Sequence, residues 1–140
     1  MTYIEAQVFD VVYNAVIAEY PKATIQDRFT FTPEKFPFVS VYELNSSQPS
    51  RYMDNTGNEL YTEVTYEAQI FTNDRVKKAT ANVIAEIVDD VMRGMGFLRT
   101  FKNPIPNVDT TIYRIVLRYT AVVENPTYGE TPTNTLIYHR

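Results

Sequence analysis

"LYTEVTYEAQIF", residues 60–71, decides the fold. Val64, Tyr66, Ala68 and Ile70 alternate with Glu63, Thr65, Glu67 and Gln69. A period of two puts the first set on one face of a strand and the second on the other. One side of the sheet is therefore covered, and the other is wet or meets a polar partner.

Working outward, "TTIYRIVLRYTAVVE" (110–124) alternates in the same way. Tyr113, Ile115, Leu117, Tyr119, Ala121 and Val123 oppose Ile112, Arg114, Val116, Arg118, Thr120 and Val122. "FPFVSVYEL" (36–44) reads as a strand entering from Pro37, and "FLRTF" (97–101) as a short one. A further short strand is possible around "DRFTFT" (27–32).

Two stretches have helical spacing. Ile4, Val8, Val11, Val12, Ala15 and Val16 recur at a period of 3.6, with Thr2 and Glu5 in the pattern of a capping box and Pro21 ending the run. The second helix starts from an N-cap at Asn73 or Asp74 and reaches about Met95, where Gly94 and Gly96 stop it. The order α-β-β-α-β-β predicts an α+β domain over 1–124, with one mostly antiparallel four-stranded sheet and two helices packed on one face. Residues 125–140, "NPTYGETPTNTLIYHR", form an extended C-terminal arm whose "NTLIYHR" could add a strand to a neighbouring subunit's sheet edge or simply fray.

Both helices carry more apolar surface than one sheet contact needs. A helix on a sheet uses a stripe about 100° wide, and the second helix is apolar over most of its circumference. Either the helices bury their flanks on each other, or a flank formed by Ile84, Val88, Met92 and Met95 meets another subunit. Its charges also oppose the helix dipole: Arg75, Lys77 and Lys78 come first, Asp89 and Asp90 late. Asp89 and Arg93 make a favourable i,i+4 pair. The rest reflects either a solvated face or complementary charge on a neighbour.

The chain has 140 residues, 44% hydrophobic and 21% charged, with a net charge of -4. That fits one domain with a real core and gives no electrostatic trap for nucleic acid. There is no cysteine, hence no disulfide, thiolate or Cys-ligated zinc. No basic n-region and no long apolar run is present, so neither a secretion signal nor a membrane span is expected, and "NSS" at Asn45 carries little weight as a glycosylation acceptor.

Catalytic readings lack residues. The single histidine, His139, lies in the arm, and the four glycines form no phosphate loop. "DNTGNE" (54–59) misplaces its glycine for a calcium loop. Arg114 and Arg118 share a strand face, where pairing with Glu63 and Glu67 as a charge ladder outweighs phosphate binding. No RNP-like strand supports an RNA-recognition module. Neither metal nor cofactor is expected.

"FPFVSVYEL", "VTYEAQIFTND", "AEIVDDVMRGMGF" and "DTTIYRIVLRYTAVVE" together resemble the tail terminator and tail-to-head joining (tail completion) proteins of long-tailed bacteriophages, over about residues 36–124. The resemblance implies a homo-oligomeric, usually hexameric, ring that caps the finished tail tube. Such a ring stops tube polymerisation, joins tail to head through the head connector, and lets genome DNA pass without specific binding. It further implies a non-enzymatic virion protein at the head–tail junction, assembled in the host cytoplasm and not in a membrane. The alternatives are another neck or minor tail component of the same fold, or a monomeric α+β module binding a peptide or nucleic acid.

One segment remains. "NSSQPSRYMDNTGNE" (45–59) is far longer than the two to five residues of a tight hairpin. Either it is a floppy hairpin tip, or it docks on the tube or connector through Gln48, Pro49, Arg51, Tyr52 and Met53.

Overall fold

The computed structural model describes residues 4–29, 33–47, 61–124 and 136–137. The elements run α1 (Glu5–Glu19), β1 (Thr24–Gln26), β2 (Phe38–Ser47), β3 (Tyr61–Thr72), α2 (Lys77–Gly94), β4 (Leu98–Pro104), β5 (Tyr113–Glu124) and β6 (Leu136–Ile137). The sheet order is β1-β2-β3-β5-β4, and β6 pairs with β5. All pairs are antiparallel except β1 with β2.

The α+β class and the two-helix layer agree with the sequence. The four-strand count does not. The added strand β1 runs parallel to β2 and lies upstream of "DRFTFT", at "TIQ". Three residues are too few for a periodic pattern, so only pairing could reveal them. Strand β2 also extends past Leu44 to Ser47. A bulge between Glu43 and Asn45 leaves Leu44 out of the pairing and exposed, and this interrupts the alternation that would have marked the rest of the strand. Beyond the part of β5 that β4 covers, Leu136 and Ile137 of the arm pair with Val123 and Val122, adding a strand to their own chain's sheet rather than to a neighbouring subunit's.

Strand alternation builds the core. Val39, Val41, Val64, Tyr66, Ala68, Ile70, Ile115, Leu117, Tyr119, Ala121 and Val123 all point to one face. There they meet Val8, Val12 and Val16 of α1 and Ala81, Ile84, Ala85, Val88 and Met92 of α2 in one continuous cluster. Helix α2 lies across β3 and β5, while α1 packs on α2 and on β2. Fully burying each of the Val, Leu, Ile and Met side chains among them contributes about 1.5–3 kcal/mol against conformational entropy.

The helix starts differ from the expected caps. Ile4 is the N-cap of α1 and makes no side-chain cap hydrogen bond. Glu5 instead accepts the backbone N–H of Glu43 at 2.7 Å, which ties the first turn to β2. Thr2 lies outside the described residues. At α2 the N-cap is Val76, not Asn73 or Asp74. Asp74 takes the Thr80 hydroxyl at 2.7 Å, one turn into the helix.

The expected stop is present in detail. The N–H of Gly96 donates to the carbonyl of Arg93 and that of Phe97 to Met92, both at 3.0 Å, and Gly96 has φ 98°. This is a Schellman closure, and buried Phe97 and Met92 supply its apolar contact. Gly94 is the last helical residue rather than the stop.

Candidate functional site

The face of the sheet turned away from the helices carries an ordered polar network. Register places Tyr42 of β2, Glu67 of β3, Arg118 of β5 and Phe101 of β4 in one cross-strand row. The next row on this face holds Ser40, Gln69 and Val116, and the one beyond it Phe38, Phe71 and Arg114. Side chains directly opposite on adjacent strands, and diagonal neighbours with long side chains, lie close enough to interact, so register brings this network together.

Arg118 Nε donates to Glu67 Oε1 at 3.0 Å, and its guanidinium stacks 5.2 Å from the Phe101 ring centroid. The other Glu67 oxygen accepts from the Tyr42 hydroxyl and from the Gln69 amide. Gln69 also donates to the Tyr42 oxygen at 3.1 Å, and its own Oε1 accepts Arg114 Nε at 3.0 Å. Arg114 lies 5.6 Å over Phe71. Glu67 and Gln69 are almost wholly buried, at 5% and 2% exposure.

Burial alone would raise the Glu67 carboxyl. Hydrogen bonds from Tyr42, Arg118 and Gln69 outweigh it and hold the group below the ordinary glutamate range. Burial, with the Glu67 charge beside it, pushes the Tyr42 phenol far above its usual value. Tyr42 thus stays a donor and Glu67 an acceptor near neutrality, which suits rigid recognition better than proton transfer. The charge ladder anticipated from sequence exists for Glu67 and Arg118. It fails for Glu63, which sits opposite Val122, and Arg114 bonds to a neutral amide instead.

The proposed subunit flank needs correction. Ile84, Val88 and Met92 are 0%, 0% and 1% exposed within the single chain, and Met95 is partly buried against the same core. The two helices cover one another, so these side chains have no surface left for a second copy. The large apolar residues that the helix layer does expose are Val11 and Tyr13 on α1, Val83 on α2, and Val76 at its start.

One of the oddly placed charges of α2, Asp89, has an internal cause. Asp89 accepts the Tyr119 hydroxyl at 2.8 Å and faces Arg99 of β4 at 3.2 Å, with Arg93 at 3.7 Å. No spacing rule on the helix could have shown these sheet partners. Gln48, Pro49, Arg51, Tyr52 and Met53 lie outside the described residues.

Among the described residues, no group of three or more His, Cys, Asp or Glu could hold a metal ion. No helix among them is long and apolar enough to cross a membrane.

No protein-family model matches the chain, and no curated protein does either. The fold is similar to a chain in the solved structure of the virion of a native gene transfer agent particle. The TM-score is 0.64 with 20% identity, covering 89% of this chain and 100% of the other. At that identity the likeness establishes a shared fold.

Proposed function

We propose that the protein is a structural virion component of a tailed phage or phage-like particle, acting as a ring at the end of the tail tube. The observation that carries this reading is the fold shared with the whole length of a chain from a gene transfer agent virion. The sequence resemblance to tail terminator and tail-to-head joining proteins points the same way from different evidence. In this reading the protein is not an enzyme. It caps the tube, halts its polymerisation, joins the head connector, and passes DNA without binding it specifically.

A closed ring requires two different patches that meet between neighbours. The exposed large apolar residues of the helix layer, Val11, Tyr13, Val76 and Val83, are our choice for one of these contacts. The segment 48–60, with Gln48, Pro49, Arg51, Tyr52 and Met53, is our assignment for contact with tube or connector. Deleting residues 48–57 should leave a folded, ring-competent protein that no longer completes tails, and normal joining of such tails to heads would sink that assignment.

The deciding experiment is light scattering on the protein alone and with purified tail-tube protein, alongside electron microscopy of tube length. A ring-sized species, or one formed only with the tube, together with tubes of fixed length, is the expected result. A monomer under both conditions with unregulated tubes overturns the reading and favours a monomeric binding module.

A further inference from the structure

Arg118 and Arg114 occupy the same face of β5, yet among the described residues only Arg118 has its charge matched. Glu67 neutralises Arg118 at 3.0 Å. Among the described residues Arg114 has no carboxylate within ion-pair distance. It is half-buried, its Nε is committed to Gln69 at 3.0 Å, and its plane rests over Phe71. A guanidinium fixed in this way retains the donors of its two Nη atoms in a planar fork that fits a carboxylate. Holding an unmatched cation partly out of water is unfavourable unless an anion joins it.

Beside Arg114 lies an open cavity of about 330 Å³, at the small end of the range for ligand sites. Ile105, Pro106, Ile112 and Tyr113 give it apolar walls, and Asn107 and Thr110 add polar groups. The β4–β5 loop that forms it is braced from within. Asp109 Oδ1 accepts the Thr111 backbone N–H at 2.9 Å and its hydroxyl at 2.6 Å. The Ile112 N–H donates to the Asp109 carbonyl at 3.1 Å, and the Ile105 N–H closes on Arg114 at 3.0 Å. Such a cavity is preformed, so little ordering entropy opposes binding.

We infer that this cavity binds an acidic segment of a protein partner, with a carboxylate on the Arg114 fork and an adjacent apolar side chain against Ile105, Ile112 and Tyr113. A nucleic acid fits less well. The chain carries a net charge of -4, and the cavity offers one unmatched cation beside apolar walls rather than a basic track. The inference holds whether or not the protein forms a ring.

The test is a ¹⁵N NMR titration of the full chain with three probes. N-acetyl-leucine has a carboxylate next to an apolar group, N-acetyl-leucinamide has only the apolar group, and inorganic phosphate is an anion without one. Saturable shifts at the Arg114 Nε–H and at the amides of residues 105–114, strongest with N-acetyl-leucine, are expected. Arg114→Gln should weaken that binding at least about tenfold, as loss of a charged hydrogen-bond pair does. Ile112→Ser should weaken it too, whereas Lys102→Gln on the adjacent strand should not. Equal response to the amide, equal or stronger response to phosphate, no saturable shift into the tens of millimolar, or undiminished binding by Arg114→Gln each overturns the inference. The comparison of probes on the unaltered chain stands even if a variant fails to fold.

Discussion

The hydroxyl of Tyr119, a residue fully buried in the middle of β5, donates a 2.8 Å hydrogen bond to Oδ1 of Asp89 on α2. Burial, reinforced by the Asp89 charge, drives the phenol far above its ordinary ionisation range, so it remains a donor. This bond, with Arg99 on the same carboxylate, fixes the rotation of α2 on the sheet. Tyr119→Phe should lower unfolding free energy by about 1.5–3 kcal/mol, the range for a bond to a charged group. In a denaturant double-mutant cycle, Asp89→Asn should add much less on the Tyr119→Phe background than on its own. Full additivity would show the bond to be energetically idle.

Stability in acid should depend on Glu67. Its folded-state ionisation lies below the ordinary glutamate value, so the stabilisation is complete above that ordinary value. It disappears as pH falls through the lower folded value. Glu67→Gln should therefore flatten the acid limb of the stability–pH curve. Glu43 has the opposite sign, since burial and then the Glu5 charge raise its carboxyl. Its ionised form is disfavoured in the fold, so Glu43→Gln should stabilise the protein at neutral pH. Equilibrium unfolding from acid to neutral pH checks both.

The two glycines at the end of α2 should respond in opposite directions to alanine. A Cβ at Gly94 meets nothing within 4 Å, and alanine is the better helix former by about 0.8–1 kcal/mol, so Gly94→Ala should raise stability. Gly96 has φ 98°, a backbone conformation that strains any residue with a Cβ, so Gly96→Ala should lower it by about 1 kcal/mol or more. Thermal melts of the pair decide this without reference to function.

Core and surface of α2 should separate cleanly. Met92→Ala removes a fully buried side chain and should cost about 2–5 kcal/mol. Val83→Asp alters an exposed position and should change unfolding free energy by no more than about 0.5 kcal/mol. If the helix layer is the ring interface, Val83→Asp nevertheless abolishes the ring-sized species in light scattering. An intact ring in that variant moves the interface elsewhere.

Much of this was readable in the linear chain. The alternation in residues 62–71 and 112–123 set which side of each long strand faces the helices, because a slip of one residue would turn Val64, Tyr66 and Ile70 away from the helix layer and bring Glu63 and Glu67 under it. The helical spacing of Val8, Val12 and Val16, and the glycine at 96, likewise mark local structure whose causes lie within a few residues. A breadth of apolar residues on α2 was visible too. Its meaning was not, because a side chain buried on α1 and one buried on another subunit look alike in sequence.

Tertiary structure alone decided the rest, and the reason is common to each case: the partner is remote along the chain. Glu5 finds the backbone of Glu43, Asp89 finds Tyr119 and Arg99, and Arg114 finds Gln69 rather than Glu63. Strand β1 exists only through its pairing with β2. The sequence by itself determined the α+β class, the inward face of each long strand and the close of α2, because those depend on short-range periodicity and backbone conformation. Only the folded sheet, by setting register between distant strands, decided which charges are matched and left Arg114 beside its cavity without a carboxylate among the described residues.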